Sequence, residues 1–176
     1  MKPKIYLAGP EVFLPNAVEH AEIQKQLCKK YNFIALHPMD NTIDLGNKDY
    51  KTAIQIYGGN IKQIRECDII VANCNPFRSV CVMDDGTAYE LGFGNALNKP
   101  TYGYISNLEP LEDRTIREYT NKIDKDGYVV INDFTTSINL MMQCGMTNNG
   151  GRLIEGDFEE CLKALREDID SGKLKL

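Results

Sequence analysis

Short apolar segments that alternate with stretches of helical periodicity constrain the fold of this 176-residue chain more than any other feature. The clearest is residues 68–72, DIIVA, which is continuous, apolar and β-branched, as in a strand covered on both faces. Similar short runs occupy residues 4–8, 33–36 and 101–105, and residues 128–131 are a further candidate. These runs predict strands of a largely buried sheet.

Apolar residues at helical spacing fill the intervals between the predicted strands. The predicted helices cover residues 15–31, 53–66, 86–98, 137–144 and 157–169. Strands that alternate with helices indicate βαβ units and a parallel sheet. We therefore predict one α/β domain spanning residues 1–176, a single doubly wound, mostly parallel sheet flanked by helices, of the flavodoxin-like or Rossmann-like kind.

Composition and charge exclude several classes of protein. The formal net charge is −5, which argues against a nucleic-acid partner, and 43% hydrophobic with 26% charged residues is ordinary for a globular chain. There is neither a signal-peptide pattern nor an apolar run of 18 residues, so we expect no membrane association and a cytoplasmic location. The six cysteines form no C-x-x-C pair and there are two histidines, so we expect no metal site.

Three loops follow predicted strands and are expected at one edge of the sheet. They cover residues 8–13, 37–41 and 73–87. In open α/β sheets, ligands bind beyond the carboxyl ends of the strands, near the point where the strand order reverses. We therefore expect the chemistry of this chain in those loops.

The segment from residue 84 to residue 100, DDGTAYELGFGNALNKP, is the most informative. Between residues 86 and 97 the only charged side chain is Glu90, in a helix whose apolar, glycine-rich character indicates burial. A buried carboxylate without a partner is costly. From these residues alone, Glu90 is either a solvated helix position or a functional carboxylate. Asp84 and Asp85 are either helix caps or functional groups.

Two other features have a structural and a functional interpretation. Gly58 and Gly59 precede Asn60 in a helical stretch, where they indicate a helix boundary or a close approach by a ligand. Asn139 is a possible helix cap by composition. The sequence contains no phosphate-binding G-x-x-x-x-G-K-[ST] loop, and neither histidine stands in a nucleophile–base motif.

Taken together, these segments resemble the nucleoside 2-deoxyribosyltransferase family. The matching motifs, in chain order, are IYLAGPEVF (residues 5–13), PMDN (38–41), GGNIKQIRECDIIVANCNPFR (58–78), DDGTAYELGFGNALNKPTYGY (84–104) and INLMM (138–142). Their order and spacing agree from the first strand to about residue 142. The D-x-G-T-x-x-E-x-G motif together with the A-G-P strand end is specific, whereas any one piece alone is not.

The resemblance implies roles for individual residues. Glu90 matches the nucleophile, Asp84 an aspartate that handles the nucleobase, and Tyr6 a tyrosine that orients the nucleophile. Asn60 stands at a position of base contact. Asn139 matches an asparagine that reaches the deoxyribose from a neighbouring subunit. Further substrate-binding positions fall in matching pocket segments, namely Gly9, Val12, Phe13, Asp40, Phe77 and Arg78.

The implied reaction is exchange of the base of a 2′-deoxynucleoside through a covalent deoxyribosyl–glutamate, with retention of the β configuration. It requires no metal or organic cofactor. The partners implied are 2′-deoxynucleosides, free nucleobases and further copies of the chain, in a homo-oligomer built from dimers with shared active sites.

Two alternatives remain open at this stage. The first is a hydrolase of deoxynucleosides or deoxynucleoside monophosphates, which would share the fold and the nucleophile. Its monophosphate form requires a phosphate site, and the loop AGPEVFL offers the acidic Glu11 and no serine. The second is a non-catalytic nucleoside sensor, which would be expected to lack Glu90 or Asp84.

Overall fold

A parallel sheet with helices on both faces forms the centre of the molecule. The computed structural model describes residues 2–43, 46, 48–119, 123, 126–129 and 134–176. The strands are β1 (Lys4–Ala8), β2 (Ile34–Leu36), β3 (Ile69–Asn73), β4 (Thr101–Ile105) and β5 (Leu153–Glu155). The helices are α1 (Ala17–Lys30), α2 (Tyr50–Glu66), α3 (Asp85–Ala96), α4 (Leu111–Glu118), α5 (Leu140–Asn148) and α6 (Phe158–Asp170). Short 3-10 helices cover Pro10–Phe13 and Pro38–Asp40.

The strand order in the sheet is β2–β1–β3–β4–β5, and all four neighbouring pairs are parallel. The predicted doubly wound α/β fold is therefore confirmed, in the flavodoxin-like order. The order reverses at β1, which pairs with β2 on one side and β3 on the other. Loops leave this point in opposite directions, and a crevice opens between them at the carboxyl ends of β1 and β3.

The alternation of side chains along β1 separates two hydrophobic layers. Ile5 and Leu7 pack with residues of α1 and α6 on one face, while Tyr6 and Ala8 pack with residues of α2, α3 and α5 on the other. Successive side chains of a strand point to opposite faces, so this register fixes Tyr6 on the side of α3.

Several boundaries differ from the sequence prediction. Pro15 lies ahead of α1 rather than in its first turn, and α2 begins three residues earlier than predicted, because the side chain of Asp49 caps it by accepting from the Thr52 amide. The sequence analysis missed β5 and α4. The predicted strand at residues 128–131 lies partly outside the described residues, and Val129 forms an isolated antiparallel bridge with Ile123.

Helix α2 runs without interruption through Gly58 and Gly59, so these glycines are not a helix boundary. A Cβ atom on Gly59 would lie 2.6 Å from the side-chain oxygen of Asn41, whereas a Cβ atom on Gly58 would meet nothing within 4 Å. The close approach at Gly59 is therefore made by a side chain of the protein itself. None of the helices that the structure describes is long and apolar enough to cross a membrane.

Candidate active site

A pocket of about 430 Å³ opens at the carboxyl ends of β1 and β3, where the strand order reverses. Seven of the residues singled out from the sequence line it: Gly9, Val12, Phe13, Asn60, Asp84, Asp85 and Glu90. Tyr6, fully buried in β1, reaches its edge through a hydrogen bond to Glu90. The fold thus brings together residues from β1, α2 and α3.

The Glu90 carboxylate receives two hydrogen bonds on one oxygen atom. Tyr6 Oη donates to Glu90 Oε1 over 2.5 Å, and Asn60 Nδ2 donates to the same oxygen over 3.3 Å. Both donors lie on Oε1, and Oε2 has no hydrogen-bond donor in the described part of the chain, so Oε2 is the oxygen left for a reaction partner. The pocket around it is walled largely by apolar side chains such as Val12, Phe13 and Ile56.

The environment of Glu90 makes its carboxyl group a weaker acid than an ordinary glutamate. Burial raises the pKa of Glu90 to about 7, the nearby Asp84 charge adds to this, and the hydrogen bonds from Tyr6 and Asn60 act in the opposite direction. The same burial and the Glu90 charge raise the pKa of Tyr6 far above its usual value, so Tyr6 remains a donor. A carboxyl with a pKa near 7 in a cleft is typical of functional sites.

Asp84 uses one of its two carboxylate oxygens to cap α3. Its Oδ2 caps α3 by accepting from the Thr87 amide at 2.7 Å and from Thr87 Oγ1 at 2.8 Å. Its Oδ1 has no hydrogen-bond partner among the described residues. The cap interpretation and the functional interpretation of Asp84 are therefore compatible, because each uses a different oxygen.

The Glu11 carboxylate occupies the space that a side chain at position 9 would need. A Cβ atom on Gly9 would collide with Glu11 Oε2. Glu11 Oε1 accepts hydrogen bonds from Asn73 Nδ2 and Tyr104 Oη, both at 2.7 Å, and this carboxylate does not line the pocket. Glu11 thus ties the loop after β1 to β3 and β4, a role that the sequence analysis did not identify.

Comparison with known proteins decides the family. A model of the family described as Nucleoside 2-deoxyribosyltransferase matches residues 5–141. The chain belongs to this family. The match spans Tyr6, Asn60, Asp84, Glu90 and Asn139, and the description supports glycosyl transfer as the class of chemistry.

Individual proteins are similar to this chain in sequence or in fold. A 2-deoxyribosyltransferase from Leishmania mexicana is 30% identical, with a TM-score of 0.72 over 94% of this chain and 97% of its own. A conserved protein from Enterococcus faecalis, 17% identical, shares the fold with a TM-score of 0.63 over 98% and 99% of the two chains. An uncharacterized protein of Schizosaccharomyces pombe is 34% identical over 120 residues, 66% of this chain but 57% of that protein, so the match spans little more than half of that relative.

Phe13, Phe77 and Arg78 form a cluster beside the pocket. The rings of Phe13 and Phe77 stack with centroids 5.4 Å apart and an interplanar angle of 13°. The Arg78 guanidinium lies 4.8 Å and 4.6 Å from the two centroids. Phe13 lines the pocket directly, whereas Phe77 and Arg78 support it from outside.

Asp40 and Asn139, which the resemblance also implies, do not line the pocket of their own chain either. Asp40 accepts from the His37 amide at 3.0 Å and pairs with Lys25, and these contacts hold its carboxylate within the turn. Asn139 is exposed and caps α5 by accepting from the Met141 amide at 3.0 Å, which confirms the cap suggested by its composition. Any contact of Asn139 with a substrate would have to be made in another copy of the chain.

Sequence reasoning missed several lining residues: Met39, Asn41, Ile43, Ile56 and Thr87. Asn41 was within reach of prediction, because it ends the PMDN motif. The apolar residues carried no signal that separates a pocket wall from ordinary core. Among the described residues, no group of three or more His, Cys, Asp or Glu side chains is arranged to hold a metal ion.

Proposed function

We propose that this protein is a nucleoside 2-deoxyribosyltransferase that exchanges the base of a 2′-deoxynucleoside through a covalent deoxyribosyl–Glu90 intermediate. The observation that carries the proposal is the Glu90 carboxylate in the pocket. Two donors bind its Oε1 atom, and none of the residues that the structure describes donates to its Oε2 atom. The membership of the chain in the nucleoside 2-deoxyribosyltransferase family supports deoxynucleosides as the class of substrate.

In the first step, Glu90 Oε2 attacks C1′ of the deoxynucleoside. The new C1′–O bond forms as the C1′–N bond breaks, through an oxocarbenium-like transition state, and the electron pair of the broken bond leaves with the base. Tyr6 and Asn60 fix the carboxylate so that its reactive oxygen faces one position, which reduces the entropic cost of the attack. The route is that of retaining glycosidases applied to an N-glycoside.

The departing base needs a hydrogen bond or a proton on a ring atom. Asp84 Oδ1 is the group best suited to this task, because it belongs to a pocket residue and is not used by the α3 cap. A proton that Asp84 gives to the departing base leaves with that base. The second base carries its own ring N–H proton and gives it to Asp84 as its nitrogen attacks, which restores the starting state of Asp84.

In the second step, a nitrogen of the second base attacks C1′ from the face that the first base left, and the Glu90 carboxylate departs with its electrons. Two inversions restore the β configuration. If water attacks instead, the product is free deoxyribose, so exclusion of water decides between transfer and hydrolysis. Neither step requires a metal ion or an organic cofactor.

We further propose that the active site is completed by a second subunit in a homo-oligomer built from dimers. Asn139 is exposed next to Met141, whose side chain is 75% accessible in the single chain. A symmetric dimer would bring each Asn139 reciprocally to the partner's pocket, where it would bind the deoxyribose.

Incubation of the protein with one deoxynucleoside and a different free base tests the proposed reaction. A transferase yields the deoxynucleoside of the second base, a hydrolase yields free deoxyribose, and a sensor yields neither. A panel with all four deoxynucleosides as donors also defines the base preference. Absence of exchange with every donor would overturn the proposal.

Intact-mass spectrometry after addition of the donor alone tests the covalent step. We expect a deoxyribosyl adduct on the wild-type protein and none on Glu90→Gln. Glu19→Gln, on the exposed surface of α1, is the matched control and should retain the adduct. An adduct that persists in Glu90→Gln would identify another nucleophile.

A further inference from the structure

A chain of hydrogen bonds links the turn after β2 to Glu90. The Nδ2 atom of Asn41 donates to the Pro38 carbonyl at 3.1 Å and to Asn60 Oδ1 at 3.0 Å. The Nδ2 atom of Asn60 in turn donates to Glu90 Oε1 at 3.3 Å. The chain therefore runs from a backbone carbonyl through two side-chain amides to the carboxylate.

The two ends of this chain determine the orientation of both amides. The Pro38 carbonyl can only accept, so the nitrogen of Asn41 must face it. Because the same nitrogen also contacts Asn60, it is the oxygen of Asn60 that faces Asn41. The nitrogen of Asn60 is then directed to Glu90. Rotation of the Asn60 amide by half a turn would bring two acceptors together at Glu90 and two donors together at Asn41.

We propose that Asn41 is a positioning residue that locks the Asn60 amide with its nitrogen toward Glu90 throughout the reaction. The inference rests on the proposed function of Glu90 as nucleophile. An ionised Glu90 attracts the Asn60 nitrogen, but without Asn41 the amide can rotate and must be ordered each time Glu90 ionises. The deoxyribosyl ester carries no charge and holds the nitrogen more weakly still. Asn41 keeps the donor in position, so that it is present when the carboxylate departs in the second step.

The packing of Gly59 supports this role. The Asn41 side chain lies against Gly59, where a Cβ atom would be 2.6 Å from its Cγ and Oδ1 atoms and 2.8 Å from its Nδ2 atom. A side chain at position 59 would therefore displace Asn41, which supplies the three heavy atoms nearest to the added Cβ atom. Glycine in the interior of a helix weakens the helix, and its presence in α2 has this contact as a structural reason.

The turn that carries Asn41 has supports of its own. The His37 ring accepts from the Met39 amide at 3.0 Å, and Gln63 Nε2 donates to the His37 carbonyl at 3.0 Å. Loss of the Asn41 side chain therefore leaves the turn attached to α2. This separates an effect on Asn60 from a general collapse of the loop.

The test follows the titration of Glu90 in four variants. Asn41→Ala removes the hydrogen bonds to Pro38 and Asn60, Gly59→Ala displaces Asn41, and Asn60→Ala removes the donor itself. Gly58→Ala is the matched control, because a Cβ atom at position 58 meets nothing within 4 Å. The titratable groups that face Glu90 are Tyr6 from β1 and Asp84 from the start of α3, with Asp85 in the same pocket, and none of them is altered.

Two measurements are made on each variant. The first is the direct titration of Glu90 in the free protein by NMR with ¹³C-labelled glutamate, assigned with Glu90→Gln. The second is the pH dependence of kcat/KM for base exchange. Asn41→Ala and Gly59→Ala should both move the titration of Glu90 upward by about one pH unit, which is a tenfold loss of the ionised form below the midpoint. Gly58→Ala should titrate like the wild type.

Coupling between the two asparagines completes the test. In the Asn60→Ala background, Asn41→Ala should shift the titration no further, because the group through which it acts is gone. Wild-type titration in both Asn41→Ala and Gly59→Ala, or an undiminished shift in the double variant, would overturn the inference. If thermal unfolding shows that Asn41→Ala does not fold, Gly59→Ala decides the question.

The outcome is distinguishable from failure of the proposed function. The NMR titration requires no turnover, so the role of Asn41 can be refuted or supported even in a protein that exchanges no base. Conversely, a shifted Glu90 titration with no exchange activity would remove the transferase proposal and leave the hydrogen-bond chain intact.

Discussion

Tyr6 Oη donates to Glu90 Oε1 over 2.5 Å, although the two residues are 84 positions apart in the chain. The pair exists because β1 lies beside β3 and its even-numbered side chains face α3. A buried hydroxyl thus donates to a buried carboxylate. The contact keeps Tyr6 protonated, and it occupies one of the two carboxylate oxygens of Glu90.

Replacement of Tyr6 by phenylalanine should weaken the nucleophile without removing it. The hydrogen bond from Tyr6 lowers the pKa of Glu90, so its loss moves the acid limb of the pH profile to higher pH. We expect kcat/KM at pH 7 to fall by about 10- to 100-fold, the value of a hydrogen bond to a charged group. Steady-state exchange assays between pH 5 and pH 9 measure both effects.

Tyr50→Phe is the control for this prediction, because Tyr50 is 82% exposed at the start of α2. An unchanged acid limb in Tyr6→Phe would contradict a role of Tyr6 in stabilising the ionised carboxylate.

The wild-type protein should lose exchange activity as the pH falls below 7. Burial raises the pKa of Glu90 to about 7, and only the ionised carboxylate attacks. At pH 5, two units below this value, about 1% of the nucleophile is ionised, so kcat/KM should be about 100-fold below its plateau. An acid limb that gives a pKa near that of an ordinary glutamate would show that Glu90 is more solvated in the working enzyme than in this structure.

Glu90→Gln should abolish exchange and stabilise the fold at neutral to alkaline pH. The pKa of Glu90 is higher in the folded than in the unfolded chain, so the wild-type free energy of unfolding falls as the pH rises from about 4.5 to about 7. The neutral amide avoids this loss. At pH 8 we expect the variant to be more stable by about 1–3 kcal/mol, with no difference at pH 4.

Chemical denaturation at the two pH values measures this prediction. Equal stability of Glu90→Gln and wild type at pH 8 would mean that burial of the ionised carboxylate does not destabilise the fold. Glu19→Gln controls for a general effect of removing a negative charge.

Substitutions of Asp84 should separate its two oxygen atoms. Asp84→Asn keeps an acceptor for Thr87 and replaces the free Oδ1 by a donor, so we expect wild-type stability with altered base preference. Asp84→Ala removes the cap as well and should cost about 1 kcal/mol of stability. Asp157→Ala, which removes the corresponding cap of α6, should cost a similar amount and leave exchange unchanged.

Thermal unfolding and the donor panel read out the two effects independently. If Asp84→Asn kept both the wild-type rate and the wild-type base preference, Oδ1 would have no part in handling the base.

Asp168 should make the fold sensitive to acid. Burial alone would raise the pKa of Asp168, but hydrogen bonds from Arg152, Tyr102 and Lys173 lower it. A lowered pKa contributes stability that is present above the ordinary aspartate value and is lost as the pH falls through the folded value. Asp168→Asn should cost about 3 kcal/mol at pH 7, because Arg152 and Lys173 lose their partner, and less at pH 3.

Urea unfolding at pH 7 and pH 3 provides the comparison. Asp170→Asn, whose exposed carboxylate pairs with Arg166 on the same helix, is the control and should change stability by less than about 0.5 kcal/mol. If Asp168→Asn lowered the free energy of unfolding equally at both pH values, the ionised form of Asp168 would not be the source of the stability.

The shared active site predicts complementation between inactive variants. Glu90→Ala supplies an intact Asn139, and Asn139→Ala supplies an intact Glu90, so a mixed oligomer contains some sites with both residues. We expect part of the wild-type exchange activity to return after subunits are exchanged. Light scattering and mixing of labelled chains confirm that exchange occurred. A fully active monomer, or no recovery in proven hybrids, would refute this arrangement.

The local elements of this protein follow from its sequence. The boundaries of the strand at residues 101–105 and of α3 were predicted within a residue or two. A buried strand or helix has apolar residues at a spacing that follows from its own geometry, so the sequence shows it. The short β5, with only three residues, and the charged α4 carry a weaker pattern and escaped prediction. The motifs were sufficient to select Glu90, Asp84 and Asn60 as candidates.

Only the tertiary structure decided which of these candidates meet. The strand order brings Tyr6 to Glu90, leaves Asp40 in its turn and leaves Asn139 exposed. Asn41 gained its position from a contact with Gly59 on another element, which no periodicity records. The physical reason is that secondary structure reflects interactions between near neighbours in sequence, whereas a site depends on contacts between distant segments, which form only when the sheet has fixed its order and register.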